Sequence, residues 1–204
     1  MHADVLISQD LSCVGQVSMS VALPLLAAAN LRPDVLPTSL LSTHTGGFGE
    51  NTYLDLSSEM AHILQHWQKL QLRFSAVYLG YLGARPLDVI LQHLSVLKTP
   101  ETLFLDDPVM ADHGKLYRGF DMNYVAQMRK LVHQATIATP NLTEAQLLLD
   151  EALTTSPLAI AEATQLLVRF ATKFKLETAI LTGIDCGDKI AVIGYEMGQT
   201  WILT

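Results

Sequence analysis

The sequence predicts an α/β protein with three αβα layers: helices on both faces of a mostly parallel sheet, ending in an antiparallel hairpin. Three observations carry this. Short apolar runs alternate with stretches of helical spacing along most of the 204 residues, the order that successive β-α-β units produce. The runs lack in-and-out alternation, as strands buried on both faces do. Near the end the order changes: extended runs at 189–195 and 200–204 flank Glu196-Met197-Gly198-Gln199, and a glycine free to take a positive φ in so short a connection marks a hairpin.

The elements follow in order. Residues 5–8 read as the first strand, 15–29 as a helix of small residues with Pro24 inside, and 35–42 as a second extended run. Residues 59–70 have helical spacing, and 76–79 form a strand that ends at Gly80. Residues 86–97 read as a helix with Pro86 in its first turn, where a missing N–H costs nothing. A strand at 103–105, a helix at 123–133, a short strand at 136–138 and helices at 143–149 and 157–174 lead to a strand at 178–182. No repeat, linker or low-complexity stretch interrupts the chain, and its length suits a single domain spanning residues 1–204.

Composition excludes several function classes. The net charge is -7 and no Lys/Arg run occurs, so neither nucleic acid nor an anionic membrane is an expected partner. Charged residues make up 16% of the chain, below the usual share of about 25%, which implies surface covered by a subunit or by another segment. Cys13 and Cys186 lie too far apart for a disulfide framework or a zinc spacing. They fit a reducing, cytoplasmic location. The N-terminus lacks the charged-then-apolar pattern of a signal peptide, and no apolar run is long enough to span a membrane.

Open α/β sheets bind ligands at the carboxyl ends of their strands, so the residues after each strand define the candidate site. They are Ser8, Gln9, Asp10 and Ser12; Thr43, His44, Thr45, Gly46 and Gly47; Gly80, Tyr81 and Gly83; Asp106, Asp107 and Asp112; Thr139, Pro140, Asn141 and Glu144; and Thr182 with Gly183. Carboxylates with an Asn and a Glu at neighbouring strand ends suit a hard cation such as Mg²⁺, which takes one or two carboxylates plus phosphate oxygens. That chemistry points to phosphoryl transfer. Neither a GxxxxGK[ST] loop nor a GxGxxG turn is present, which makes a P-loop NTPase and a dinucleotide enzyme both poor readings.

The stretch DPVM with Asp112, followed some thirty residues on by TPNLTEA, resembles the vitamin kinases of the ribokinase-like superfamily. SQDLSCVGQVSMSVALPLL, LPTSLLSTHTGGFGENTYLDL and YLGYLG narrow the resemblance to the bacterial pyridoxal/pyridoxine/pyridoxamine kinases, collinear from Val5 to Thr182. The resemblance implies ATP-dependent phosphorylation of the 5′-hydroxymethyl of a vitamin B6 vitamer. It also implies Mg²⁺, a monovalent cation such as K⁺, and a homodimer. It places Asp10, Ser12, His44, Thr45 and Tyr81 on the vitamer side. Asp107, Asp112, Tyr117, Thr139, Asn141 and Thr182 fall on the ATP side, with Asp107 and Glu144 at the metal. The related hydroxymethylpyrimidine phosphate kinases share DPVM but match the N-terminal motifs less well.

One family feature is missing. The family's catalytic base is an aspartate in a GTGD turn that opens a helix, and no such turn occurs in this chain. Asp185-Cys186-Gly187-Asp188 echoes it but precedes the hairpin and lacks the threonine, so no catalytic residue is assigned. The expectation is a ribokinase-like domain incomplete at its C-terminus, or a degenerate relative that binds B6 or dimerises without catalysis.

Plainer readings stand beside these roles. Asp106 points away from Asp107 on a strand, so pairing with a basic group is expected. Asn141 with Glu144 fits a helix-capping box, as does Thr143 with Gln146 one register later. His44 also reads as a loop histidine, His62 and His66 as a solvated face, and His2, His93, His113 and His133 as surface residues. Cys13 reads as a small buried hydrophobe.

Overall fold

The computed structural model describes residues 5–154 and 156–204, so His2 lies outside the described residues. The fold is mixed α/β, with largely parallel strands and an antiparallel C-terminal portion. The chain divides into two compact units, Met1–Phe104 and Leu105–Thr204.

The first unit runs β1 (Val5–Ser8), β2 (Leu11–Ser12), α1 (Met19–Ala28), β3 (Pro33–Val35), β4 (Ser39–Leu41), β5 (Tyr53–Asp55), α2 (Ser57–Lys69), β6 (Ala76–Leu79), α3 (Ala84–Gln92) and α4 (Leu94–Leu97). Strand β1 lies between β3 and β6, parallel to both. All its residues are buried, which accounts for its unalternating apolar sequence. Ile7 packs with Met19 and Ala22 of α1, and Leu23, Leu26 and Tyr78 close around them. A second small sheet pairs β2 with β4 in parallel and β4 with β5 in antiparallel.

Three boundaries differ from the sequence reading, each for a local reason. Helix α1 begins at Met19 rather than Gly15, because Gly15 (φ 101°) and Ser18 (φ 49°) take left-handed backbone incompatible with a helix. The extended run at 35–42 divides into β3, which pairs with β1, and β4, which pairs with β2. Pro37 sits at the change and has no N–H to offer a ladder. The helix at 86–97 breaks at His93 into α3 and α4, and the His93 ring is hydrogen-bonded to the Val89 carbonyl.

The unit boundary passes through β7 (Leu103–Asp106). Then come β8 (Ala111–Asp112), β9 (Lys115–Leu116), α5 (Met122–Val132), β10 (Ile137–Ala138), α6 (Leu142–Leu149), α7 (Ile160–Phe174), β11 (Thr178–Asp185), β12 (Ile190–Glu196) and β13 (Gln199–Leu203). Strands β7, β10 and β11 are parallel neighbours, and β11, β12 and β13 form an antiparallel meander. Helix α7 buries Ala163, Leu166, Leu167, Phe170, Ala171 and Phe174, a stripe with the three-and-four spacing of a core-facing helix. The expected C-terminal hairpin is present. Met197 (φ 47°) and Gly198 (φ 91°) form its two-residue turn, the left-handed pair that a twisted hairpin requires. A Cβ on Gly194 would fall inside the Trp201 ring, so any other residue here must displace that ring. Among the described residues, no helix is long and apolar enough to cross a membrane.

Candidate active site

In the first unit, the carboxyl ends of β1 and β6 and the loop after β4 carry Asp10, Ser12, Tyr81, His44 and Thr45, the residues expected on the vitamer side. Asp10 is buried, and the Ser12 hydroxyl donates to its Oδ2 at 3.3 Å. Thr38 ties two of the segments together: its N–H donates to the Gln9 carbonyl and its hydroxyl to the Tyr81 carbonyl at 3.1 Å. The Gly80 N–H donates to the Ser8 carbonyl, and a Cβ at Gly80 would collide with the Gln9 side chain. Gly80 therefore makes room for a buried glutamine at the strand end. Burial pushes the Tyr81 hydroxyl up to about 12, with Tyr53 and Asp10 adding to the effect. Tyr81 is a neutral donor at any physiological pH.

His44 is held at its backbone. Its N–H donates to the Val14 carbonyl at 2.8 Å, and Cys13 N–H donates to the Leu41 carbonyl at 2.8 Å, so the segments 13–15 and 41–44 run together. A Cβ on Gly15 would lie 2.8 Å from the His44 Cβ. His44 Nδ1 accepts from the Gly46 N–H at 3.3 Å. Thr45 is exposed. Cys13 is also exposed rather than the buried hydrophobe that was expected, because the backbone pairing of its segment spends the inward direction on Ser12. The sequence reading did not single out Tyr53, yet its phenol shares the electrostatic surroundings of Asp10 and Tyr81. Its place in the LPTSLLSTHTGGFGENTYLDL stretch was the available signal.

In the second unit, β7 ends in the acidic loop. Asp107 is largely buried and takes a hydrogen bond from the Thr139 side chain; burial still pushes its carboxyl up to about 6. Asp106 is fully buried, and among the described residues neither carboxylate oxygen has a hydrogen-bond partner. Burial, with Asp107 and Glu144 nearby, holds it well above the usual carboxylate range. Among the described residues the expected basic partner for Asp106 is not there; its electrostatic neighbours are acids, so burial favours its neutral form.

Glu144 is also buried, and its carboxyl is pushed up to about 8 by that burial, against the pull of its hydrogen bonds. Its Oε1 accepts from the Met110 and Ala111 N–H groups at 3.1 and 3.4 Å, and its Oε2 accepts from Asn141 N–H at 2.9 Å. The Asn141 side chain accepts from Glu144 N–H at 3.0 Å and donates to the Ala111 carbonyl at 2.7 Å. Asn141 and Glu144 thus form the capping box of α6 and grip the acidic loop as well. The alternative box of Thr143 with Gln146 is not formed: Thr143 accepts from Gly114 N–H, and Gln146 accepts from Thr154 N–H. Thr182 donates its N–H to the Pro140 carbonyl at 3.1 Å, where the β11 ladder shifts register between Leu181 and Ile184.

Asp112 and Tyr117 lie on the hairpin of β8 and β9. His113 (φ 49°) and Gly114 (φ 74°) form its turn. Asp112 Oδ1 accepts from His113 N–H, and Tyr117 N–H donates to the Met110 carbonyl at 2.9 Å. Burial pushes the Tyr117 hydroxyl up to about 12, helped by Glu144, Asp112 and Asp107. Among the described residues, no group of three or more His, Cys, Asp or Glu side chains converges to hold a metal. The donor set nonetheless fits Mg²⁺, because that ion keeps most of its waters and takes few protein carboxylates. Asp107 is the available carboxylate; Glu144 has both oxygens engaged by backbone N–H groups. Asp185-Cys186-Gly187-Asp188 belongs to the β11–β12 connection, where Asp185 Oδ1 accepts from Gly187 N–H.

Parallel strands whose carboxyl ends carry an acidic DPVM loop and a capped TPN segment are the arrangement of the ribokinase-like fold. No family model matches the chain. The Lactobacillus plantarum pyridoxal kinase structure is 36% identical, with TM-score 0.85 over 98% of this chain and 71% of its own. A Bacteroides thetaiotaomicron protein described as a phosphomethylpyrimidine kinase, crystallised with pyridoxal, is 33% identical with TM-score 0.89, again covering 98% and 71%. A Schizosaccharomyces pombe protein assigned as a pyridoxal kinase is 27% identical over 157 residues, 74% of this chain and 44% of that protein. The chain spans less than half the length of the curated relatives it matches. It belongs to the pyridoxal kinase family of the ribokinase-like superfamily.

Proposed function

We propose that the protein transfers the γ-phosphoryl group of ATP to the 5′-hydroxymethyl of a B6 vitamer. The observation that carries this is the largely buried Asp107 at the end of β7, hydrogen-bonded by Thr139 and set beside a loop that Glu144 and Asn141 clamp. One available carboxylate beside a clamped loop suits Mg²⁺, which keeps several waters and takes one or two carboxylates plus phosphate oxygens. The 33%-identical relative crystallised with pyridoxal supports the acceptor.

In this reading Asp10, Ser12, His44, Thr45 and Tyr81 hold and orient the vitamer. The buried Asp10 carboxylate, steadied by Ser12, accepts a hydrogen bond from a ring substituent. Asp107 with Thr139 holds the Mg²⁺ of Mg-ATP, and Asn141 and Thr182 set the phosphate segment. Glu144 fixes the loop on which Asp107, Asp112 and Tyr117 sit. Bound Mg²⁺, with K⁺ beside it, would neutralise charge that develops on the transferred phosphoryl group.

Free Cys13 and Cys186 fit a cytoplasmic enzyme. The proposed assembly is a homodimer: Leu11, Leu40 and Leu54 stand in register across β2, β4 and β5, and all are exposed. Such an apolar row favours a protein partner over water.

The test is pyridoxal 5′-phosphate formation from pyridoxal and Mg-ATP, run beside hydroxymethylpyrimidine phosphate as acceptor. Preferential turnover of the pyrimidine would move the chain to the phosphomethylpyrimidine kinases. Binding of pyridoxal without turnover would make it a B6-binding module.

A further inference from the structure

We infer that Thr143 is a positioning residue that locks the β8–β9 hairpin, and with it Asp112 and Tyr117, to the first turn of α6. The inference rests on the kinase reading for what the hairpin does, but the latch itself stands on geometry. Thr143 is buried, at 4% exposure, and its Oγ1 accepts from Gly114 N–H at 2.9 Å. A threonine in a helix usually turns its hydroxyl back to the carbonyl one turn earlier, as Thr164 and Thr172 do to Ile160 and Val168. Thr143 sits too early in α6 for that, and its hydroxyl oxygen is spent on the hairpin instead.

The position of the bond gives it leverage. Gly114 is in the turn, next to His113, and both take positive φ. The base of this segment is held by Glu144 at Met110 and Ala111, and by Asn141 at the Ala111 carbonyl. The tip is held by Thr143 alone among the side-chain bonds of α6 described above. Asp112 and Tyr117 lie on the two arms between and beyond these anchor points. Asn141 and Glu144 also cap α6, so substituting them disturbs helix and loop together. Thr143 has no capping bond, which makes it the residue at which hairpin position can be changed while the cap stays whole.

The experiment compares Thr143→Val, which keeps shape and removes the acceptor, with Thr143→Ser, which keeps the acceptor. Amide hydrogen exchange at Gly114 is expected to quicken roughly fivefold in the valine variant, the equivalent of one lost hydrogen bond, and to stay near the parent rate in the serine variant. Mg-ATP affinity measured by calorimetry should weaken in the valine variant, recover in the serine variant, and leave pyridoxal affinity unchanged in both. Unchanged exchange at Gly114 in Thr143→Val overturns the latch. Faster exchange with unchanged Mg-ATP affinity overturns its positioning role. If the parent chain binds no Mg-ATP, the kinase reading fails, and Gly114 exchange still decides the latch. Should Thr143→Val not fold, Thr143→Ala carries the same comparison.

Discussion

The polar clusters of the two units are built on opposite electrostatic principles. In Met1–Phe104 most of the site's polar groups are matched within the protein: Ser12 serves Asp10, Thr38 serves Gln9 and Tyr81, and Val14 serves His44, although the buried Thr43 hydroxyl has no partner among the described residues. In Leu105–Thr204 burial works against the acids: Asp106 has no hydrogen-bond partner among the described residues, Asp107 is pushed up to about 6, and Glu144, though both its oxygens accept backbone N–H groups, is pushed up to about 8. A matched cluster is complete before its ligand arrives and gains little from a cation. A mismatched one is under strain that a cation relieves. In the proposed reading the organic ligand belongs to the first unit and the metal-phosphate to the second.

The largest expected effect breaks the second cluster. Asp107→Ala should lower phosphoryl transfer by ~10²–10³-fold, the scale of losing one preorganised electrostatic group, while pyridoxal affinity stays within about twofold. Steady-state kinetics with calorimetry checks it; equal loss of both affinities would make Asp107 a turn residue. Next comes pH. The folded-state carboxyls of Asp107 and Glu144 lie above their ordinary values of 3.8 and 4.5. Between the ordinary and raised values the folded chain holds more protons than the unfolded one, so stability falls as pH rises. The fall should begin near pH 4, lose the Asp107 contribution above about 6, and level off for Glu144 above about 8. Asp106→Asn should make the slope shallower, and Mg²⁺ with ATP should do the same. Urea midpoints from pH 4 to 9 would show it, and a flat profile for the parent chain would mean the acids are already paired.

How much of this contrast the sequence disclosed follows from the range of the interactions involved. The strand-helix alternation and the C-terminal hairpin were legible, since both rest on local spacing and turn chemistry. The residues at the strand ends were legible for the same reason. Asp106 was misread, because whether a carboxylate finds a base depends on residues that sequence distance hides: its electrostatic neighbour Glu144 lies 38 positions away. The β8–β9 hairpin was missed because His113-Gly114 lacks the Asn-Gly or Asp-Gly signal that usually marks such turns. The dual work of Glu144 as cap and loop clamp was half legible: the capping box could be read, its reach to Met110 could not.

Two smaller effects sharpen the first cluster. Asp10→Ala should raise the KM for the vitamer about tenfold, the worth of one charged hydrogen bond, and leave the KM for Mg-ATP unchanged. An unchanged vitamer KM would remove Asp10 from the site.

Gly15→Ala is the finer probe. Gly15 holds a φ of 101° and approaches His44 so closely that an added Cβ would sit 2.8 Å from the His44 Cβ. The methyl must push the 13–15 and 41–44 segments apart, and the backbone conformation is costly for any L-residue. The loss in stability should be about 1–3 kcal/mol. Because His44 is displaced but no polar group is removed, vitamer affinity should weaken by less than in Asp10→Ala, and Mg-ATP affinity should not move. If Mg-ATP binding weakens as much as vitamer binding, the matched and mismatched clusters are not independent, and the division of labour between the two units fails.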